Sequence, residues 1–117
     1  MKSNSAFDRI PVGEPVGAEQ RVHAWLAAHP HERVTEHEIV ATERGGIELH
    51  VSHVTDDGAD GNPTEYRSFI VMPGTDAAQQ ANEWLASSPW IFIESCNSIR
   101  MRDGASYLDF FFHDVNR

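Results

Sequence analysis

The sequence predicts an α+β fold, with two helices and an antiparallel sheet of about six strands, built from a tandem β-α-β-β repeat. Three observations carry this reading. Trp25-Leu26-Ala27 stands ahead of Pro30, and Trp84-Leu85-Ala86 stands ahead of Pro89. A glycine-centred turn follows each helix, at Gly45-Gly46 and at Asp103-Gly104. Sliding the chain by 59 residues superposes these features. Val12, Ala18, Gln20, Trp25, Leu26, Ala27, Pro30, Gly45 and Leu49 then meet Val71, Ala77, Gln79, Trp84, Leu85, Ala86, Pro89, Gly104 and Leu108. Repeats of this kind set the architecture before any single element does.

Residues 1–6 read as a loose polar start. Phe7–Val12 reads as an edge strand, because Pro11 cannot donate to a ladder. The turn Gly13-Glu14-Pro15-Val16-Gly17 leads into a helix over Ala18–Ala28, on which Val22, Trp25 and Leu26 share a face at helical spacing. His29 and Pro30 end it. Val34–Thr42 and Ile47–Val54 flank Arg44-Gly45-Gly46 as a hairpin. In its second strand Ile47, Leu49 and Val51 alternate with Glu48, His50 and Ser52, the pattern of a sheet with one covered face. Asp56–Asn62 reads as an exposed, mobile joint between the units.

The second unit opens on a strand at Tyr66–Met72. Thr75 or Asp76 is placed to cap a helix over Ala77–Ser87, whose face is Ala81, Trp84 and Leu85. Strand-like runs follow at Trp90–Ile93 and Tyr107–Phe112. One unit cannot bury its own apolar face, so the two are expected to share one core in a single domain over 1–117, with repeats at about 7–55 and 66–115. The expected relation between them is an approximate two-fold. Tyr107–Phe112 is aromatic on both faces, which calls for a second layer or another subunit; a homo-oligomer is expected, with burial of Phe111 under a helix of the same chain as the alternative.

Composition narrows the functional classes. Eighteen acidic residues against nine basic ones give a formal charge of -9. That field repels a phosphate backbone and argues against direct nucleic-acid binding. It leaves a basic protein partner, a DNA mimic or simple solubility. No apolar run approaches the length of a membrane span, and the start lacks the apolar segment of a signal peptide. A single cysteine, Cys96, fits a reducing, cytoplasmic setting.

No metal, cofactor or catalytic motif is legible. His50 and His53 are three apart on a strand and point to opposite faces, so they cannot chelate together. No His-Glu-x-x-His helix or cysteine pair occurs. A calcium loop starting at Asp56 fails because Gly58 and Arg67 fall where oxygen ligands are needed. Serines, histidines and aspartates are plentiful, yet no spacing pairs them. The histidines, and Glu36, Glu38 and Glu94, read as solvated strand residues. An enzyme is not expected.

The candidate ligand-binding residues lie mainly in the second hairpin. Asn97, Ser98, Arg100 and Arg102 suit an anion and a base edge, Trp90 and Phe92 could stack on a ring, and Arg67 and Arg44 could contribute from elsewhere. The competing reading is that these arginines pair with surrounding carboxylates.

Asn82-Glu83-Trp84-Leu85 followed by Ile91-Phe92-Ile93-Glu94-Ser95 resembles a small sporulation-protein pattern. Over nearly the full chain, the element order and size resemble the phage Thoeris anti-defence sponges. That resemblance implies an oligomeric, non-catalytic protein sequestering a small cyclic nucleotide signal of the cyclic ADP-ribose type. The alternative is an acidic, anti-CRISPR-like inhibitor or DNA mimic that blocks a nucleic-acid-binding partner. A small histidine acid/base enzyme ranks third.

Overall fold

The computed structural model describes residues 5–71, 77–101 and 104–115. Its elements run β1 (Ala6–Gly13), α1 (Ala18–Ala28), β2 (Glu32–Ala41), β3 (Ile47–Thr55), β4 (Glu65–Val71), α2 (Ala77–Ala86), β5 (Ile91–Arg100) and β6 (Ser106–Asp114). Short 3-10 turns at Pro15–Gly17 and Asp57–Asp60 precede α1 and β4. Among the described residues all strand pairing is antiparallel. The six strands divide into two three-stranded sheets, ordered β1-β3-β2 and β4-β6-β5.

The 59-residue offset holds element by element. It carries β2 onto β5 and β3 onto β6 at both ends. It also carries the β-bulge between Val34 and Glu36 onto the one between Ile93 and Ser95. Gly45 and Gly104, both at positive φ (85° and 90°), occupy the same place in the two turns. Glycine has no Cβ to strain there.

Helix α1 forms where predicted. Ala18 and Val22 are fully buried, with Trp25 and Leu26 packed beside them. Its end is closed by His29, whose N–H donates to Leu26 O and whose Nδ1 lies 2.8 Å from Trp25 O. These contacts satisfy carbonyls that a helix end leaves free. Strand β5 runs much further than Trp90–Ile93. Its polar residues hide the apolar alternation, but the ladder to β6 continues to Arg100 opposite Ser106.

The two repeats meet through non-equivalent faces. In each unit the helix tryptophan packs on its own sheet: Trp25 edge-on to His53 (5.0 Å) and Trp84 edge-on to Phe112 (5.0 Å) are matched by the repeat. Sheet β1-β3-β2 also turns that helix-bearing face towards the other sheet. The other sheet answers with its opposite face, carrying Tyr66, Tyr107 and Phe111 in the common core. A two-fold would bring matching faces together, so the expected two-fold is replaced by a head-to-tail stack. The reason lies in β6. Tyr107, Asp109 and Phe111 turn one way into the shared core, while Leu108, Phe110 and Phe112 turn the other way under α2. Both aromatic faces are thus covered within the chain, and Phe111 is fully buried between the sheets.

The edge strands β2 and β5 are joined by side chains. Val34 N–H donates to Glu94 Oε1 (2.9 Å), and Asn97 Nδ2 donates to the carbonyl of His37 (2.8 Å). The joint at 56–62 is tied down more than its composition suggests. Asp56 N–H donates to His31 O, Asp56 accepts from Gly58 N–H, and Ala59 is buried. The expected capping residues Thr75 and Asp76, and Asp103 of the second turn, lie outside the described residues. No helix among the described residues is long and apolar enough to cross a membrane.

Candidate functional site

A recess of about 390 Å3 opens where α1 of the first repeat passes β4 of the second. Its aromatic wall is Trp84, Trp90 and Phe112, joined by Arg67, His23, Glu19, Glu65 and Asp114. Trp84 is braced by Phe110 and Phe112, with ring centroids at 5.3 and 5.0 Å. The Arg67 guanidinium lies over Phe69 and Trp84, 5.2 and 5.9 Å from their centroids. Trp90 is 53% exposed, while its carbonyl is anchored by Val115 N–H at 2.8 Å. Across the opening, Glu19 accepts from Ser68 N–H (2.8 Å) and His23 Nε2 lies 3.2 Å from Tyr66 O. The helix therefore caps the free edge of β4 and forms one rim. A rigid indole wall with a half-exposed ring suits a flat ligand.

At the β2–β5 seam a second recess, of about 370 Å3, is lined by Arg33, Thr35, Asp56, Phe92, Glu94 and His113. Beneath it Arg33 is almost fully enclosed. Its Nη1 reaches Glu94 Oε2 at 3.3 Å, its Nη2 donates to Asn62 Oδ1 at 2.6 Å, and its Nε lies 3.4 Å from Asp56 Oδ2. His113 Nδ1 meets Glu94 Oε2 at 2.6 Å. Glu94, expected on a solvated face, is thus buried in an ion-paired cluster, because the bulge before Ser95 turns it towards β2.

Deeper in the same seam lies a chain of polar side chains. Ser95 Oγ is 2.6 Å from His37 Nδ1, and His37 Nε2 is 2.6 Å from Asp109 Oδ1. Tyr66 Oη donates to Asp109 Oδ2 at 2.5 Å, and Tyr107 Oη follows at 2.5 Å. The His37 and Asp109 side chains are fully buried, whereas Ser95 is partly exposed. Burial, reinforced by the Asp109 carboxylate, holds both phenols well above the ordinary phenol range, so they remain donors. His53 is enclosed as well, between Glu32 Oε1 (2.6 Å) and Asp8 Oδ2 (2.9 Å). His37 and His53 therefore correct the expectation of solvated strand histidines. Among the described residues no group of His, Cys, Asp and Glu is arranged to hold a metal ion.

The residues singled out in the sequence do not converge. Trp90 and Arg67 line the aromatic recess, and Phe92 lines the seam recess. Asn97 is committed to the carbonyl of His37, and Ser98 is exposed, its N–H bonded to Asn97 Oδ1. Arg100 is exposed at the far end of β5, Arg44 is exposed in the first turn, and Arg102 lies outside the described residues. Trp84 and Phe112 were legible only as core residues; their contribution to a wall depends on where α2 crosses β6. Ser95, His37 and Asp109 gave no sequence signal, since 58 and 72 residues separate His37 from its two partners.

No protein-family model, curated protein or solved structure matches this chain.

Proposed function

We propose that the chain is a binding protein that captures a small, ring-bearing ligand of the nucleotide type in the recess between its repeats, without transforming it there. The observation that carries this reading is the convergence of Trp84, Trp90, Phe112 and Arg67 on one opening of about 390 Å3. That volume lies in the range of small-molecule sites. The ring stacks on Trp90, and Arg67 meets one anionic group. Glu19, Glu65 and Asp114 share the lining, so a polyphosphate is disfavoured and a ligand with one or two phosphates is preferred.

The test is a thermal-shift panel of cyclic ADP-ribose isomers, cyclic dinucleotides and nucleosides. A ligand at 100 times its Kd stabilises by about 2.7 kcal/mol, which raises Tm by several degrees. Trp90→Ala is expected to abolish the shift, and the ligand is expected back intact after heating. A panel with no shift, or a shift unchanged in Trp90→Ala, overturns the reading. If a basic nucleic-acid-binding protein is bound instead, in a salt-sensitive manner, the acidic-inhibitor alternative takes its place.

A further inference from the structure

We propose that Ser95 is an activated nucleophile, a catalytic serine for acyl transfer from small carboxylic esters. The proposal is independent of the aromatic recess. Ser95 Oγ, the His37 ring and the Asp109 carboxylate form an unbroken relay, with both links at 2.6 Å. Nucleophile, base and orienting carboxylate within hydrogen-bond reach are the geometric signature of such a centre, whatever the chain order. Exposure falls the right way: Ser95 is half-buried, while the side chains of base and carboxylate are fully buried. The β-bulge immediately before Ser95 is a device that re-aims a side chain.

The repeat supplies a second argument. At the matched positions Ser95 becomes Glu36, Asp109 becomes His50 and His37 becomes Cys96. The relay therefore exists only where the non-equivalent faces meet. Cohesion alone does not call for it, because apolar residues of similar volume hold such a site as well or better. On the neighbouring surface a recess of about 450 Å3 is lined by His37, Asn97, Phe7, Glu36 and Glu38. Those carboxylates select an ester that is uncharged or cationic.

In the step, Ser95 Oγ bonds to the carbonyl carbon and its proton passes to His37 Nδ1. The carbon–oxygen bond to the alcohol breaks, and the alcohol leaves with that proton. Water then attacks the acyl-serine, giving its proton to His37, and the carboxylic acid departs as the serine is restored. Asp109 is a positioning residue that keeps the Nε2 proton in place.

The experiment treats the full chain with diisopropyl fluorophosphate. The serine oxygen–phosphorus bond forms, fluoride leaves and the serine proton passes to His37. Mass spectrometry of peptides is expected to show Ser95 labelled about 100-fold faster than the exposed Ser87 and Ser98. Labelling disappears in Ser95→Ala and slows by about 100-fold in His37→Gln. In Asp109→Asn the rate is expected to fall and its pH profile to move. Labelling of Ser95 no faster than Ser87 and Ser98 overturns the proposal in the native protein alone, whatever the variants' folding. So does equal labelling of Ser95 in a folded His37→Gln.

Discussion

His37 Nε2 lies 2.6 Å from Asp109 Oδ1, both side chains fully buried, although 72 residues separate them. One belongs to each repeat, so this pair is a direct link between two sheets that share no backbone ladder. Its neighbours are also satisfied. Among the described residues no buried side-chain polar atom lacks a partner. A network of this kind fixes the relative placement of the sheets, because sliding either one strands several polar groups at once.

Breaking that link has a definite cost. Asp109→Ala or His37→Ala removes one partner of a buried pair and is expected to destabilise by about 3–5 kcal/mol. The double substitution is expected to cost less than the sum of the two. Urea unfolding of the four proteins measures this, and strict additivity would contradict the coupling.

The two tryptophans of the recess are expected to separate stability from binding. Trp84 packs against Phe69, Phe110 and Phe112, so Trp84→Ala is expected to cost about 2–4 kcal/mol. Trp90 is 53% exposed, and Trp90→Ala is expected to stay within about 1 kcal/mol. Thermal unfolding of the two variants provides the comparison.

Acid stability is expected to depend on Glu32. Burial pushes its carboxyl up, but hydrogen bonds from His53 and Thr55, with the charges of His53 and His29, hold it below its ordinary value of 4.5. A carboxyl lowered in the folded state stabilises fully above 4.5 and loses that contribution as pH falls through the folded value. Asp56 acts in the same direction, through Gly58 N–H first and Arg33 second. Unfolding free energy is therefore expected to drop below pH 4.5, and Glu32→Gln to shrink that drop. An unchanged acid limb in Glu32→Gln would exclude Glu32 as a source.

Adjacent glycines in the first turn are expected to fail for different reasons. Gly45 sits at φ 85°, where an alanine costs about 1–2 kcal/mol. A Cβ on Gly46 would stand 2.5 Å from Gly13 O, a contact that backbone must move to relieve. Gly46→Ala is therefore expected to be the more damaging, read as the larger fall in Tm. The reverse order would contradict the close approach of β1 to this turn.

The fold was largely legible because its signals are local and occur twice. Helical spacing of Val22, Trp25 and Leu26, alternation along Ile47–Val54 and two glycine turns act within a few residues. Their recurrence at 59 residues ties them into one plan. The faces through which the repeats meet were not legible. Alternation shows that Tyr107 and Phe110 point apart, but not which of them meets a foreign sheet. The polar interior was hidden for the same reason. His37, Glu94, Ser95 and Asp109 carry no pattern of their own and look solvated until β2 and β5 are placed side by side. Of the eight residues first singled out for binding, Trp90 and Arg67 are brought together, while Asn97 serves the seam and Ser98 and Arg100 face solvent.

A stack whose members join by unlike faces has two different ends, and nothing in its geometry tells it when to stop. At the outer end of this one, Glu36, Glu38, Glu48 and His50 stand where the inner sheet carries Ser95, Asn97, Tyr107 and Asp109. Carboxylates there disfavour the docking of a further layer. Exchanging those four side chains for their inner counterparts is expected to favour end-to-end association of copies.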